Sequence, residues 1–94
     1  MYYLGIDIGS SSIKVSLVEM HSGECISLVK QPEKEMSIIA EQNGWAEQNP
    51  EDWWLHICKG IKEIKNTCGI SEVDIKGLGM AYQMHGLVIV DKNG

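Results

Sequence analysis

The chain is predicted to be an α/β segment on a mixed sheet, with elements in the order β-β-β-α-β-β. Two observations carry this. Residues 2–8, 12–19 and 25–29 are apolar or alternate with period two, and Gly- and Ser-containing turns separate them. One long segment with helical periodicity, 49–69, then precedes two further branched runs at 75–81 and 87–90. Three hairpin-linked strands, a crossover helix and a returning strand make a sheet with both antiparallel and parallel pairs.

Each element has its own signal. Strand one, Tyr2–Ile8, is apolar except for Asp7 near its end, which predicts a central, buried strand. Gly9 and the serines Ser10, Ser11 and Ser12 make a tight turn. Strand two, Ser12–Glu19, alternates and is rich in branched residues, so it is a strand and not a helix. A turn at Met20–Glu24 leads to strand three, Cys25–Val29. Gln31–Gln48 is long, polar and mixed, with a short strand expected at Ser37–Ala40; a connection of that length is usually functional or flexible.

The helix is well marked. Asn49 is a good N-cap, Pro50 suits the first helical position, and Glu51 and Asp52 suit the positive end of the dipole. Trp54, Ile57, Ile61, Ile64 and Cys68 recur at spacings of three and four and predict the buried face. Gly69 is placed as a C-cap. Strands are then expected at Ile75–Ala81 and Leu87–Val90. Asp91–Gly94 reads as a turn without a returning strand, which suggests a piece of a longer protein.

The turn after strand one carries the first chemistry. Glycine and serine let backbone N–H groups approach an anion closely. The hydroxyls of Ser10, Ser11 and Ser12 can bond phosphate oxygens, and Lys14 adds positive charge. Asp7 would repel a bare phosphate, so its place implies a bound cation such as Mg²⁺. Neither G-x-x-x-x-G-K-[ST] nor G-x-G-x-x-G is present. The competing reading is a structural hairpin with a polar turn. Function is favoured because a carboxylate inside an apolar strand costs stability unless something satisfies it.

Composition narrows the classes. The 94 residues make at most one small domain. A net charge of −5 with no basic patch argues against nucleic acid as a partner. No apolar run approaches the roughly 18 residues of a membrane span, and no leader-like segment opens the chain. Three widely spaced cysteines, Cys25, Cys58 and Cys68, argue against a disulfide framework or a zinc site and for a reducing, cytoplasmic setting. His21 and His56 are expected at the surface, with Asp52 four residues before His56. Trp54 is expected in the core, while Trp45 lies in the long loop.

The element order is that of a ribonuclease H-like core, in which the helix brings strand four parallel beside strand one. Ligands of open α/β sheets gather beyond strand C-termini. Tyr82-Gln83-Met84-His85-Gly86 is therefore a second place for a site.

Three blocks occur in sequence: Ile6-Asp7-Ile8-Gly9-Ser10-Ser11-Ser12-Ile13-Lys14, Gly44-Trp45-Ala46-Glu47-Gln48-Asn49-Pro50-Glu51-Asp52-Trp53-Trp54, and Gln83-Met84-His85-Gly86. Together they resemble the amino-terminal region of the FGGY carbohydrate kinases, and most of all the members that phosphorylate xylulose. The first block alone is shared across the sugar kinase, Hsp70 and actin superfamily; Q-M-H-G is the most discriminating.

The resemblance implies the amino-terminal part of a sugar-binding domain, in an enzyme that transfers phosphate from Mg-ATP to a ketose. It implies a magnesium-associated role for Asp7 and a phosphate-contacting role for Gly9, Ser10, Ser11, Ser12 and Lys14. It assigns Gln83, Met84 and His85 to the sugar. The small-molecule sugar is the expected partner. The family's catalytic base and adenosine pocket lie beyond these residues, so the isolated chain is expected to be inactive and to expose surfaces prone to self-association.

Two departures stand out. Tyr82 is where those members usually carry glycine, and Ser10 replaces a commoner threonine, keeping the hydroxyl. Alternatives to a xylulose kinase are a gluconate or other pentulose kinase, or a non-catalytic actin-like ATP-binding module. Met84 as core filler and His85 as a structural histidine are the competing readings of the third block.

Overall fold

A computed structural model describes all residues from Met1 to Gly94. Its strands are β1 (Tyr2–Ile8), β2 (Ile13–Glu19), β3 (Cys25–Gln31) and β4 (Ile75–Tyr82), with the helix α1 (Pro50–Cys68) between β3 and β4. One sheet runs in the order β3-β2-β1-β4. β1 pairs antiparallel with β2 and parallel with β4, and β2 pairs antiparallel with β3. The α/β mixed sheet and its crossover helix are therefore as expected.

The helix termini follow the cap chemistry. Asn49 Oδ1 accepts from the N–H of Glu51 at 3.0 Å. Gly69 sits at φ 66° and its N–H returns to the Lys65 carbonyl, a left-handed close that suits glycine. A short 3₁₀ turn, Glu72–Asp74, then feeds β4.

The core lies between one sheet face and α1. Leu4 and Ile6 of β1, Ile13, Val15 and Leu17 of β2, Ile57 and Ile64 of α1, and Met36 of the long loop are buried together. β1 has a neighbour on each edge, as expected of a central strand, but only one of its faces is covered. Tyr3 and Asp7 point to the other side and are exposed.

The helix face differs from expectation at its start. Trp54 is 64% exposed, whereas Trp53 is half-buried and packs against the core. The packed stripe runs through Ile57, Gly60 and Ile64, and Trp53 falls on the same side one turn earlier. α1 lies across β2 and β3. Gly60 permits its close approach: a Cβ there would stand 2.7 Å from Val15 Cγ2.

Two expected strands do not form. Between Ser37 and Ala40 there is only a single bridge, Ile39 with Glu47. Leu87–Val90 is not a strand, and all four of its residues are exposed. Branched residues favour extended backbone, but a strand exists only where another edge pairs with it, and this run meets none. β4 is therefore the free edge on this side of the sheet. Leu78, Met80 and Tyr82 are paired in register with Leu4, Ile6 and Ile8, yet they remain exposed because α1 lies mainly over β2 and β3.

Candidate functional site

The turn between β1 and β2 is residues 9–12, closed by the Ile8–Ile13 pair. Gly9 donates its N–H to the Ser12 carbonyl at 3.0 Å. A side chain at Gly9 would put its Cβ 3.0 Å from that same oxygen, so the tight turn needs glycine. Ser10 is exposed, Ser11 is half-buried and Ser12 is buried at the base of the turn.

The long loop holds this turn from behind. Met36, whose side chain is in the core, donates its N–H to the Ser11 carbonyl at 2.8 Å. The Gln48 side-chain amide donates through Nε2 to the Ser10 carbonyl. All three serine carbonyls thus accept hydrogen bonds from the protein, while the N–H groups of Ser10, Ser11 and Ser12 join no helix or strand ladder. A trans peptide sets each N–H opposite the preceding carbonyl. Tying the carbonyls of Ser10 and Ser11 inward therefore turns the N–H groups of Ser11 and Ser12 outward. That arrangement suits an anion.

Asp7 and Lys14 stand opposite each other across β1 and β2. Both lie on the face away from α1 and both are exposed. The carboxylate therefore carries no burial cost, contrary to the argument from its apolar neighbours; alternation places it on the open face. Lys14 also faces Lys30 across β2 and β3. A shallow groove of ≈ 460 Å³ on this face is lined by Gly5, Asp7, Lys14, Ser16, Leu28 and Gly79, among others. No group of three or more His, Cys, Asp or Glu side chains forms a metal cluster. A cation at Asp7 would draw its remaining ligands from water or phosphate oxygens, as Mg²⁺ commonly does.

β4 ends beside this turn. Tyr82 pairs with Ile8, and Gln83 donates its N–H to the Ile8 carbonyl at 3.0 Å. The segment 83–86 thus begins next to Gly9. Met84 is 81% exposed and is not core filler in this chain. His85 is exposed too and has φ 60°, a left-handed conformation uncommon for a residue with a side chain.

Sequence reasoning missed Met36 and Gln48. Gln48 lies in the Trp45–Trp54 block, yet its contact with the turn spans 38 positions and has no local signal. The remaining candidates are accounted for more simply. Cys25, Cys58 and Cys68 are free thiols. His56, expected at the surface, is half-buried, and its Nδ1 is buried without a partner. Trp45 is exposed.

The FGGY family of carbohydrate kinases, N-terminal domain, matches residues 2–94. The chain is 41% identical over 91 residues to the xylulose kinase of Staphylococcus epidermidis, covering 97% of this chain and 18% of that protein. It is 35% identical over 92 residues to the xylulose kinase of Bacillus subtilis, covering 98% of this chain and 18% of that one. Among solved structures it superposes on a xyloylose kinase from Brucella ovis with a TM-score of 0.86 at 26% identity, over 99% of this chain and 19% of that chain. The chain thus spans under a fifth of the length of these relatives.

Proposed function

The chain belongs to the FGGY family of carbohydrate kinases, and on that premise we propose that it is the amino-terminal part of the sugar-binding domain of an ATP-dependent ketose kinase. D-xylulose is the favoured sugar and D-xylulose 5-phosphate the product. The observation that carries the proposal is the bond from Gln83 to Ile8, which starts the Gln83–Gly86 segment beside the turn of Gly9–Ser12. An anion-receptive turn and a segment of hydrogen-bonding side chains then border the same end of the sheet, where a phosphoryl donor and a sugar hydroxyl would meet.

In this reading the hydroxyls of Ser10 and Ser11 and the outward N–H groups of Ser11 and Ser12 contact phosphate oxygens, the Ser12 side chain being buried at the base of the turn. Gly9 allows close approach, Lys14 adds positive charge, and Asp7 holds Mg²⁺ through water. Gln83, Met84 and His85 shape the sugar pocket. ATP with Mg²⁺ supplies the transferable phosphoryl group. The residues of this chain bind and orient; positioning and charge neutralisation are the main sources of rate in such transfers. The general base and the adenosine pocket belong to a further part of the enzyme. Three free thiols suit a reducing cytoplasm.

The experiment is ADP release by the complete enzyme offered xylulose, ribulose, gluconate and glycerol in parallel. Highest kcat/KM on xylulose is expected, with no turnover by residues 1–94 alone. Preference for gluconate or another pentulose would replace the sugar while keeping the kinase. Absence of phosphoryl transfer to any sugar, with ATP still bound, would favour a non-catalytic module.

A further inference from the structure

We propose that Gln48 is a positioning residue for the phosphate turn: its side chain ties the Ser10 carbonyl to Trp53 of α1 and so aims the Ser11 N–H at the bound anion. The inference rests on reading Gly9–Ser12 as a phosphate site.

Both ends of the Gln48 amide are used. Its Nε2 donates to the Ser10 carbonyl, and its Oε1 accepts from the Trp53 indole N–H at 3.1 Å. The partners fix which end goes where. An indole N–H only donates and a backbone carbonyl only accepts, so the amide has one satisfied orientation. An ester, a carboxylate or an alkyl group at this position satisfies at most one of the two.

The strap is itself anchored. Just before Gln48, Glu47 exchanges two backbone hydrogen bonds with Ile39, at 2.7 and 2.8 Å. Just after it, Asn49 caps α1. Trp53 packs against the buried core. The helix, which is seated on β2 and β3, is thus hydrogen-bonded to the turn through the Gln48 side chain. Planarity of the Ser10–Ser11 peptide converts this hold on a carbonyl into a fixed direction for the Ser11 N–H. Met36 does the same for Ser12 through the Ser11 carbonyl, using backbone alone. Without Gln48, the Ser10–Ser11 peptide is free to flip and present its oxygen to the ligand, which repels an anion.

The test uses the complete enzyme and three variants. Gln48→Leu removes both bonds. Gln48→Glu keeps the acceptor for Trp53 but sets a carboxylate against the Ser10 carbonyl. Trp53→Phe keeps the ring and removes only the indole donor. Gln48→Leu and Gln48→Glu are expected to raise KM for Mg-ATP about 3- to 10-fold, the range of one lost net hydrogen bond. KM for the sugar should stay unchanged, and Trp53→Phe should shift in the same direction by less.

A second readout needs no catalysis: amide hydrogen exchange at Gly9 and Met36, whose N–H groups bond the Ser12 and Ser11 carbonyls, should quicken in nucleotide-free Gln48→Leu. A purely structural role would lower the melting temperature and leave both the KM for Mg-ATP and this local exchange unmoved, and that result overturns the proposal. If Gln48→Leu does not fold, Trp53→Phe carries the same comparison. Faster exchange in an enzyme that phosphorylates no sugar would keep the strap and discard the kinase reading; unchanged exchange in an active kinase would do the reverse.

Discussion

The backbone N–H of Gln83 donates to the carbonyl oxygen of Ile8 at 3.0 Å. These residues are 75 positions apart in a chain that passes through two more strands and a helix before returning. The bond extends the β1–β4 ladder one step past Tyr82. It makes the end of β1 and the end of β4 one place, so that the carboxylate of Asp7, the serine turn and His85 all belong to the same end of the sheet.

Asp7→Asn in the complete enzyme keeps the side-chain shape and removes the charge. Asp7 is exposed at the end of β1, so the fold should tolerate the change. A fall in kcat of about 10²-fold is expected, as for loss of one preorganised electrostatic group, with little change in KM for the sugar. Unchanged kcat at saturating Mg-ATP would make Asp7 an ordinary surface residue of the sheet.

His85 is best tested by two substitutions, because its φ of 60° adds a backbone effect. Glycine accepts that conformation without strain, whereas alanine costs about 1–2 kcal/mol there. If the imidazole pairs with a sugar hydroxyl, its removal should cost ~1–3 kcal/mol, or about 5- to 150-fold in KM for the sugar. Both His85→Gly and His85→Ala should show this, with KM for Mg-ATP unchanged. A deficit in His85→Ala alone would trace to the backbone.

Gly60→Ala tests how α1 is seated. Alanine is favoured over glycine in a helix by about 1 kcal/mol. Here its Cβ would come within 2.7 Å of Val15 Cγ2, on a fully buried, branched side chain that cannot swing away. The clash should dominate, with a net loss of ~1–3 kcal/mol in urea unfolding. A neutral or stabilising result would mean that α1 lifts from β2 at little cost.

Glu19 sets a pH dependence. Its carboxylate accepts from the backbone N–H groups of His21 and Ser22, at 2.7 Å for the bond from Ser22 Nα to Oε2. These bonds, that from His21 foremost, hold its pKa down to about 2, from an ordinary 4.5. A depressed folded value means that the unfolded chain takes up the proton first. The contribution of Glu19 is complete above the ordinary value and is lost as pH falls from there through about 2. Thermal melts between pH 6 and about 2 should therefore fall less steeply for Glu19→Gln than for the wild type. Parallel curves would assign the turn's stability elsewhere.

Much of this protein was legible in the chain itself. Asn49, Pro50 and Gly69 bounded the helix, because caps act within one turn of backbone and need no distant partner. Apolar runs located β1 and β4, period-two alternation located β2, and the glycine and serines at 9–12 marked the turn between the first two. The three sequence blocks pointed to the family that the comparisons then matched.

Tertiary structure decided what local pattern leaves open. Trp53 and Trp54 are both apolar and adjacent, and only the direction of the sheet chose Trp53 for the core. Leu87–Val90 has strand propensity, but a strand is a pairwise object and no edge meets it. Asp7 looked costly in an apolar run until the open face of the sheet made it exposed. The hold of Gln48 on Ser10 joins side chain and backbone across 38 positions. Caps and alternation are short-range and are written in neighbouring residues. Burial, pairing and the orientation of a peptide plane depend on which distant atoms arrive beside it, and only the folded chain brings those atoms together.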